Sequence, residues 1–115
     1  MTIKILLVDP DSRSRSIIAR AIENEFGYFV KFFGNLDAAR KAFPGGGFDA
    51  VILCGTVQSG DDGWVWGIKL HGWGVKVFVI SSSRPEKVPA GLDSIDIGAG
   101  LSKVTQAIGR FLRGI

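Results

Sequence analysis

The sequence predicts a single three-layer α/β domain built on a parallel sheet. Short apolar runs alternate along the 115 residues with segments whose apolar residues recur at helical spacing. The runs are almost continuously apolar, which is typical of strands covered by helices on both faces. No repeat or linker separates them. Residues 1–115 are therefore expected to form one domain, with right-handed crossovers between neighbouring strands.

The first strand and the first helix are the clearest pair. The apolar run "IKILLV" (3–8) predicts a buried strand that stops at Asp9. From Ser12 onward apolar residues recur at helical spacing, and Gly27 supplies a stop signal, so the pattern predicts a helix over 12–26. The remaining elements are predicted, in order, at 28–33 (strand), 36–43 (helix), 50–54 (strand), 64–74 (helix), 75–80 (strand), 94–97 (strand) and 102–113 (helix).

The connection between the fourth and fifth strands, residues 84–92, departs from this alternation. It contains Pro85, Pro89 and Gly91. Proline lacks a backbone donor and clashes with the preceding turn of a helix. The fourth helix is therefore predicted to be short or irregular.

Composition and charge exclude several classes of function. The net charge is +3, and the basic residues form no block. The locally basic final segment, with Lys103, Arg110 and Arg113, complements the carbonyl end of the last helix. Without interleaved aromatic residues it predicts no nucleic-acid partner. The single cysteine cannot form an internal disulfide, and the apolar runs are far shorter than the ~20 residues of a membrane span. A cytoplasmic protein without membrane contact is expected.

Polar residues follow the predicted strands at the edge where ligands of parallel sheets bind, beyond the carboxyl ends. Asp9 and Asp11 follow the first strand, Cys54 ends the third, and three serines beginning at Ser81 end the fourth. The loop 98–103 follows the fifth strand. These positions are the candidates for a functional site.

The order of these segments resembles the response-regulator receiver family, whose members are also called CheY-like. The resemblance is carried by "ILLVDPDSRSRSIIARAIENEFGYFVKFFGNLDAARKAF", then "FDAVILC", "DDG" and "VKVFVISS", and it covers nearly the whole chain. It implies a flavodoxin-like, five-stranded parallel sheet and a role in two-component signal transduction. It also implies protein partners and a possible homodimer through the final helix and the fifth strand.

The resemblance also implies which residues occupy the receiver pocket. A receiver holds Mg²⁺ with an adjacent acidic pair and accepts a phosphoryl group on an aspartate that ends the third strand. It binds the phosphoryl oxygens with a Ser or Thr and a Lys. Asp9 matches the first acid, Pro10 stands in place of the second, and Asp11 lies one residue further on. Cys54 falls on the acceptor position, and Ser81 matches the hydroxyl residue.

Two more positions complete the comparison with receivers. Asp62 belongs to the "DG" that follows the acceptor, after a loop that is one residue longer than in the family. Counting from Ser81 places Lys103 near the position of the family's lysine. Alternatively Ser102 caps the last helix, and Lys103 then lies in the first helical turn, outside the pocket. The second placement is favoured because it leaves a final helix of sensible length.

The substitutions favour one of three functional hypotheses. Proline has no carboxylate, and a thiol is a soft ligand that Mg²⁺ does not favour. The favoured interpretation is a pseudo-receiver that acts through protein contacts without phosphorylation, and it involves no catalytic residue, cofactor or metal. The first alternative is an atypical receiver whose Asp9, Asp11 and Asp62 form a rearranged metal or phosphate site. The second is a thiol redox switch at Cys54. A buried, small apolar side chain is the favoured reading of this cysteine, because no charged neighbour and no resolving cysteine accompany it.

Arg13 and Arg15 follow the first strand and could neutralise this acidic edge in place of a metal ion. A solvated helix face is the favoured interpretation for both.

Three tryptophans, Trp64, Trp66 and Trp73, fall within ten residues. Helical spacing cannot place Trp64 and Trp66 on the same face, so one of them is expected to face solvent or a partner. Exposed Trp is enriched at interface hot spots. The segment is therefore predicted to be a partner-binding surface.

Overall fold

The computed structural model describes residues 2–54, 62–82 and 86–115. The strands are β1 (Lys4–Val8), β2 (Phe29–Phe33), β3 (Ala50–Cys54), β4 (Lys76–Ser81) and β5 (Asp93–Asp96). The α-helices of the described residues are α1 (Ser12–Phe26), α2 (Leu36–Ala42), α3 (Asp62–Gly72) and α4 (Leu101–Arg113). Each predicted element is present, and its ends lie within two residues of the prediction. Within the described part of the chain, no helix is both long and apolar enough to cross a membrane.

The five strands form one parallel sheet in the order β2-β1-β3-β4-β5. This is the strand order of the flavodoxin-like fold, so the predicted fold class is confirmed. The order reverses between β1 and β3, because the chain first adds β2 on one side of β1 and then crosses to the other side. Ligands of such sheets bind beyond the carboxyl ends of the strands at this reversal.

The core consists of two apolar layers, one on each face of the sheet. Consecutive residues of a strand point to opposite faces. In β3, Ile52 and Cys54 pack in the layer that α1 and α4 cover, whereas Val51 and Leu53 pack in the layer that α2 and α3 cover. Because apolar layers cover both faces of the sheet, side chains on both faces of a strand are apolar. This explains the nearly continuous apolar runs in the sequence.

Residues 86–92, the described part of the connection between β4 and β5, contain no helix. This confirms for that part of the connection the irregular structure that its proline and glycine content predicts. The segment is nevertheless anchored. Leu92 is buried in the α2 and α3 layer, and the His71 Nε2 is 3.2 Å from the carbonyl oxygen of Ala90. The end of α3 therefore holds this connection in place.

Candidate functional site

Three of the predicted pocket residues meet at the carboxyl edge of the sheet. Val8 lies opposite Leu53, so Asp9 follows β1 at the level of Cys54. Cys54 lies opposite Ile80, the residue before Ser81. Asp9, Cys54 and Ser81 have exposed fractions of 2%, 3% and 4%. The edge therefore holds a carboxylate, a thiol and a hydroxyl, all almost completely withdrawn from solvent.

The Asp9 carboxylate is already occupied by protein donors. Its Oδ1 accepts a hydrogen bond from the Asp11 backbone N at 3.0 Å, and its Oδ2 accepts one from the Ser14 Oγ at 2.6 Å. The Cys54 thiol also interacts with this carboxylate, which contributes to the raised pKa of the thiol. A buried carboxylate is stable only when its oxygens are satisfied in this way. Each oxygen of this buried carboxylate therefore has a donor from the protein.

The Asp11 side chain caps α1. Its Oδ1 accepts hydrogen bonds from the backbone N of Arg13 at 2.9 Å and of Ser14 at 3.3 Å. Its backbone is extended, as expected of an N-cap residue. Because Pro10 brings no carboxylate and the Asp11 side chain serves the helix end, the acidic pair of a receiver has no counterpart beyond Asp9 among the residues that the structure describes.

The surroundings of Cys54 favour a protonated, unreactive thiol. Burial raises the pKa of this thiol far above its usual range, because the thiolate would lose its hydration. The charge of Asp9, the hydrogen bond to Asp9 and the charge of Asp11 raise the pKa further. A nucleophilic or redox-active cysteine requires the opposite environment, with cations nearby and some exposure.

Arg15 contacts the first residue of this edge through the main chain. Its Nη1 donates to the carbonyl oxygen of Asp9 at 3.1 Å, and its guanidinium lies 5.4 Å from the centre of the Phe32 ring. Its Nε is buried, and no atom of the described residues accepts a hydrogen bond from it. The favoured expectation of a solvated side chain is therefore wrong for Arg15, because stacking on Phe32 and the carbonyl bond hold it against the end of β1.

The fifth strand supplies a carboxylate at the position where a phosphate site would need a cation. Asp96 lies opposite Ser81 in the sheet, and its Oδ1 accepts a hydrogen bond from the Gly98 backbone N at 2.7 Å. Lys103 is exposed in the first turn of α4, as the favoured placement predicts. The helix is capped by Gly100 and not by Ser102, so the predicted capping residue is wrong. The cap shifts because the Ile97–Ala99 turn ends at a glycine with a φ of 97°, where the chain enters α4 directly.

The described residues of this edge do not fit Mg²⁺ as a receiver would bind it. The described residues contain no group of three His, Cys, Asp or Glu side chains that could hold a metal ion. The Asp9 oxygens bind protein donors, Asp11 caps a helix, and a protonated thiol is a poor partner for a hard cation. The side chain of Asp62, predicted to supply a further carboxylate, lies outside the described residues, as does the 55–61 loop before it.

The sequence predicts that either Trp64 or Trp66 faces solvent or a partner. Both are buried, so that expectation is wrong. Gly67 lies against Leu53 and Val79 at the centre of the buried face of α3. Helical geometry then places the two indoles on opposite flanks of this glycine, where both can reach the sheet. Trp73, just beyond α3, is 68% exposed and is the tryptophan available to a partner.

Two residues that the sequence analysis does not single out belong to this edge. Ser14 satisfies Asp9, and Asp96 occupies the end of β5. The sequence does contain a signal for Ser14. The predicted helix begins at Ser12, so Ser14 lies in its first turn, close to the end of the preceding strand. No sequence signal identifies Asp96, since its position depends on the register between β4 and β5.

Comparison with known proteins supports the fold. No protein-family model matches the chain, and no curated protein matches it. Solved structures do resemble it. A receiver domain from Methanospirillum hungatei is 18% identical, with a TM-score of 0.77 over 99% of this chain and 96% of that one. A response regulator from Thermotoga maritima is 19% identical, with a TM-score of 0.73 over 98% of this chain and 99% of that one.

A third similar structure is a complex of the histidine kinase ThkA with the response regulator TrrA. Its matching chain is 19% identical, with a TM-score of 0.70 over 96% of this chain and 99% of that one. At such identities the likeness concerns the fold alone. The fold is that of response-regulator receiver domains.

Proposed function

We propose that this chain is a pseudo-receiver, a signalling domain that acts through contacts with a protein partner and is not switched by phosphorylation. The observation that carries the proposal is the pairing of Cys54 with Asp9. A protonated thiol ends β3 at the position where the resemblance implies an acceptor aspartate, and it interacts with the Asp9 carboxylate, which the resemblance implies as a cation ligand. This pairing closes the edge without an ion.

The surroundings of the pair support the same proposal. Phosphoryl transfer relies on cations that neutralise the charge of the transferred group. At this edge the guanidinium of Arg15 is bonded to the main chain of Asp9, Lys103 is exposed on α4, and Asp96 brings a negative charge to the end of β5. Among the described residues, a phosphoryl group at this edge would meet the carboxylates of Asp9 and Asp96 at the ends of β1 and β5.

The two alternatives have less support. A rearranged acidic site needs Asp11 beside Asp9, but the Asp11 side chain is bonded to the start of α1. A redox switch needs an accessible thiolate, but Cys54 is buried and its pKa is raised. The absence of enzymatic activity is part of the proposal, and the burial and raised pKa of Cys54, the thiol at this edge, support it.

A protein partner follows from the class of fold. One protein with the same fold is a response regulator bound to a histidine kinase, and for this chain we propose a partner from a comparable signalling pathway. Homodimer formation through α4 and β5, a cytoplasmic location and the lack of a nucleic-acid partner stay predictions.

The proposal is tested by incubating the chain with acetyl phosphate and Mg²⁺ and measuring its intact mass. We expect no added phosphate, whereas a receiver with a complete acidic pocket gains one under the same conditions. The Cys54→Ser variant controls for modification of the thiol. The Pro10→Asp/Cys54→Asp variant restores both carboxylates and is expected to bind Mg²⁺ at millimolar concentration. A wild-type chain that gains a hydroxylamine-sensitive phosphate, as an acyl phosphate is, would refute the proposal.

A further inference from the structure

A second concave surface lies at the opposite edge of the sheet, where β4 and β5 begin. We name it the amino-edge cleft, and it lies between the end of α3, the starts of the two strands and the last turns of α4. Its charged and polar lining residues are His71, Lys76, Asp93 and Arg110. Lys76 and Ser81 are the two ends of β4, so the cleft lies about 16 Å from the carboxyl edge at about 3.3 Å per residue.

The cleft has an apolar floor and a mainly basic wall. Val77 and Phe111 are buried at its base, and Phe111 stacks on Phe78 at a ring distance of 5.3 Å. Lys76 and Arg110 are exposed on its wall. Among the described residues, Asp93 is the single acidic one that lines it. A concave, partly apolar site with an excess of cations is complementary to an acidic ligand.

Helix ends account for only part of this charge. Arg110 lies in the last turn of α4 and His71 in the last turn of α3, where cations complement the helix carbonyl ends. Lys76 begins a strand and has no such role.

Trp73 lies beside the cleft and is exposed on a hydrogen-bonded turn. His71 and Gly74, which line the cleft, stand on either side of Gly72 and Trp73 in the chain. The Trp73 backbone N donates to the carbonyl oxygens of Lys69 and Leu70, both at 3.1 Å. A large aromatic side chain presented from such a turn loses little conformational freedom when a partner covers it.

We propose that the amino-edge cleft, together with Trp73, docks an acidic segment of a protein partner, with carboxylates against Lys76 and Arg110 and an apolar side chain against the indole. This inference deepens the proposed function by naming the surface and the chemistry of the partner. A protein segment fits better than a nucleic-acid backbone, because Asp93 repels a regular row of phosphates but can accept a hydrogen bond from a donor of a peptide.

The test uses random twelve-residue peptides displayed on phage, selected against the complete chain. Enriched sequences are expected to carry acidic residues next to an apolar one. One enriched peptide is then synthesised and titrated into the ¹⁵N-labelled chain. Amide shifts are expected at Gly74, Lys76, Gly91 and Gly114. The Lys76→Glu/Arg110→Glu variant should weaken binding about tenfold or more, and Trp73→Ser should weaken it several-fold.

The matched control is Arg20→Glu/Lys41→Glu, which makes the same change in net charge at exposed positions of α1 and α2. It should bind the peptide as the wild type does. The exposed positions of Lys76, Arg110 and Trp73 leave folding intact, and far-ultraviolet circular dichroism verifies this for each variant. Equal weakening in the control, enriched peptides without acidic residues, no enrichment, or shifts outside the cleft would each overturn the inference.

A titration with oligothymidylate distinguishes an acidic peptide from a nucleic-acid backbone as the ligand of the cleft. Shifts of the same amides with equal or greater affinity would assign the cleft to nucleic acid and overturn the proposal. The result of the peptide-binding experiments is independent of the result of the phosphorylation test. A chain that takes up phosphate at its carboxyl edge yet binds acidic peptides at the cleft would refute the proposed function and keep the docking surface.

Discussion

At the scale of single residues, the carboxyl edge is organised around Asp9. A buried carboxylate without partners would cost several kcal/mol, and here the Asp11 backbone N and the Ser14 hydroxyl donate to it, and the Cys54 thiol interacts with it. These partners come from the start of α1 and the end of β3. Asp9 therefore joins two elements as well as filling the site where a receiver would bind a cation.

Replacing Asp9 should reveal this structural role. Asp9→Ala removes the buried acceptor of the Asp11 backbone N and the Ser14 hydroxyl and the charge that interacts with Cys54, so we expect the free energy of unfolding to fall by about 2–3 kcal/mol. Urea denaturation followed by circular dichroism measures the change. Glu23→Ala, at an exposed position on α1, is the control and should change the free energy by less than about 0.5 kcal/mol. Equal effects of the two substitutions would contradict a structural role for Asp9.

The reactivity of Cys54 is a second test of the cluster that Cys54 forms with Asp9. Because its raised pKa keeps the thiol protonated and burial blocks access, iodoacetamide at pH 8.5 should label the native chain at least about a hundredfold more slowly than the unfolded chain. Intact mass reports labelling cleanly, since the chain has one cysteine. A Cys54→Ser/Ser102→Cys variant, with the thiol at an exposed position of α4, should label rapidly. Native labelling as fast as in that variant would revive the redox hypothesis.

At the scale of elements, α3 depends on a glycine that a helix would ordinarily avoid. A Cβ atom on Gly67 would lie 3.2 Å from the Val79 Cγ2 and 3.3 Å from the Leu53 Cδ1. Both neighbours are completely buried side chains of the central strands β3 and β4. The glycine therefore lets α3 lie close to the sheet, which brings Trp64 and Trp66 into the core on either side.

Two matched glycine substitutions test this packing. Gly67→Ala should destabilise the fold by about 1–3 kcal/mol, because overpacking outweighs the gain in helix propensity. Gly109→Ala, within α4, should stabilise it by about 0.4–1 kcal/mol. The added Cβ there meets only the flexible Arg113 guanidinium, at 3.8–3.9 Å. Thermal unfolding of both variants measures the difference, and stabilisation by Gly67→Ala would show that α3 does not pack so tightly on the sheet.

The elements also show where sequence reasoning works and where it stops. The bounds of α1 were predictable because Asp11 and Gly27 are local signals that act within one turn. The burial of both Trp64 and Trp66 was not, because periodicity gives the angle between side chains but not the width of the covered face. The cap of α4 at Gly100 depends on the preceding Ile97–Ala99 turn, which no local sequence pattern predicts.

At the scale of the whole molecule, the sheet separates two edges with different chemistry. The continuous apolar strands made the fold predictable, and the fold placed Asp9, Cys54 and Ser81 together. The hydrogen bonds that close that edge were not predictable, since they join residues of α1 and β3 through side-chain positions that only packing determines. The amino-edge cleft was equally hidden, because His71, Lys76 and Arg110 come from three separate elements.

The most direct test of the account is an amide NMR spectrum of the ¹⁵N-labelled chain with and without Mg²⁺ and beryllofluoride, which mimics a phosphoryl group on aspartate. A closed carboxyl edge predicts that the amides of Asp9, Asp11 and Ser81 keep their positions as both reagents are added. Saturable shifts confined to these amides would contradict it and show a pocket that still accepts the ion and the phosphoryl group.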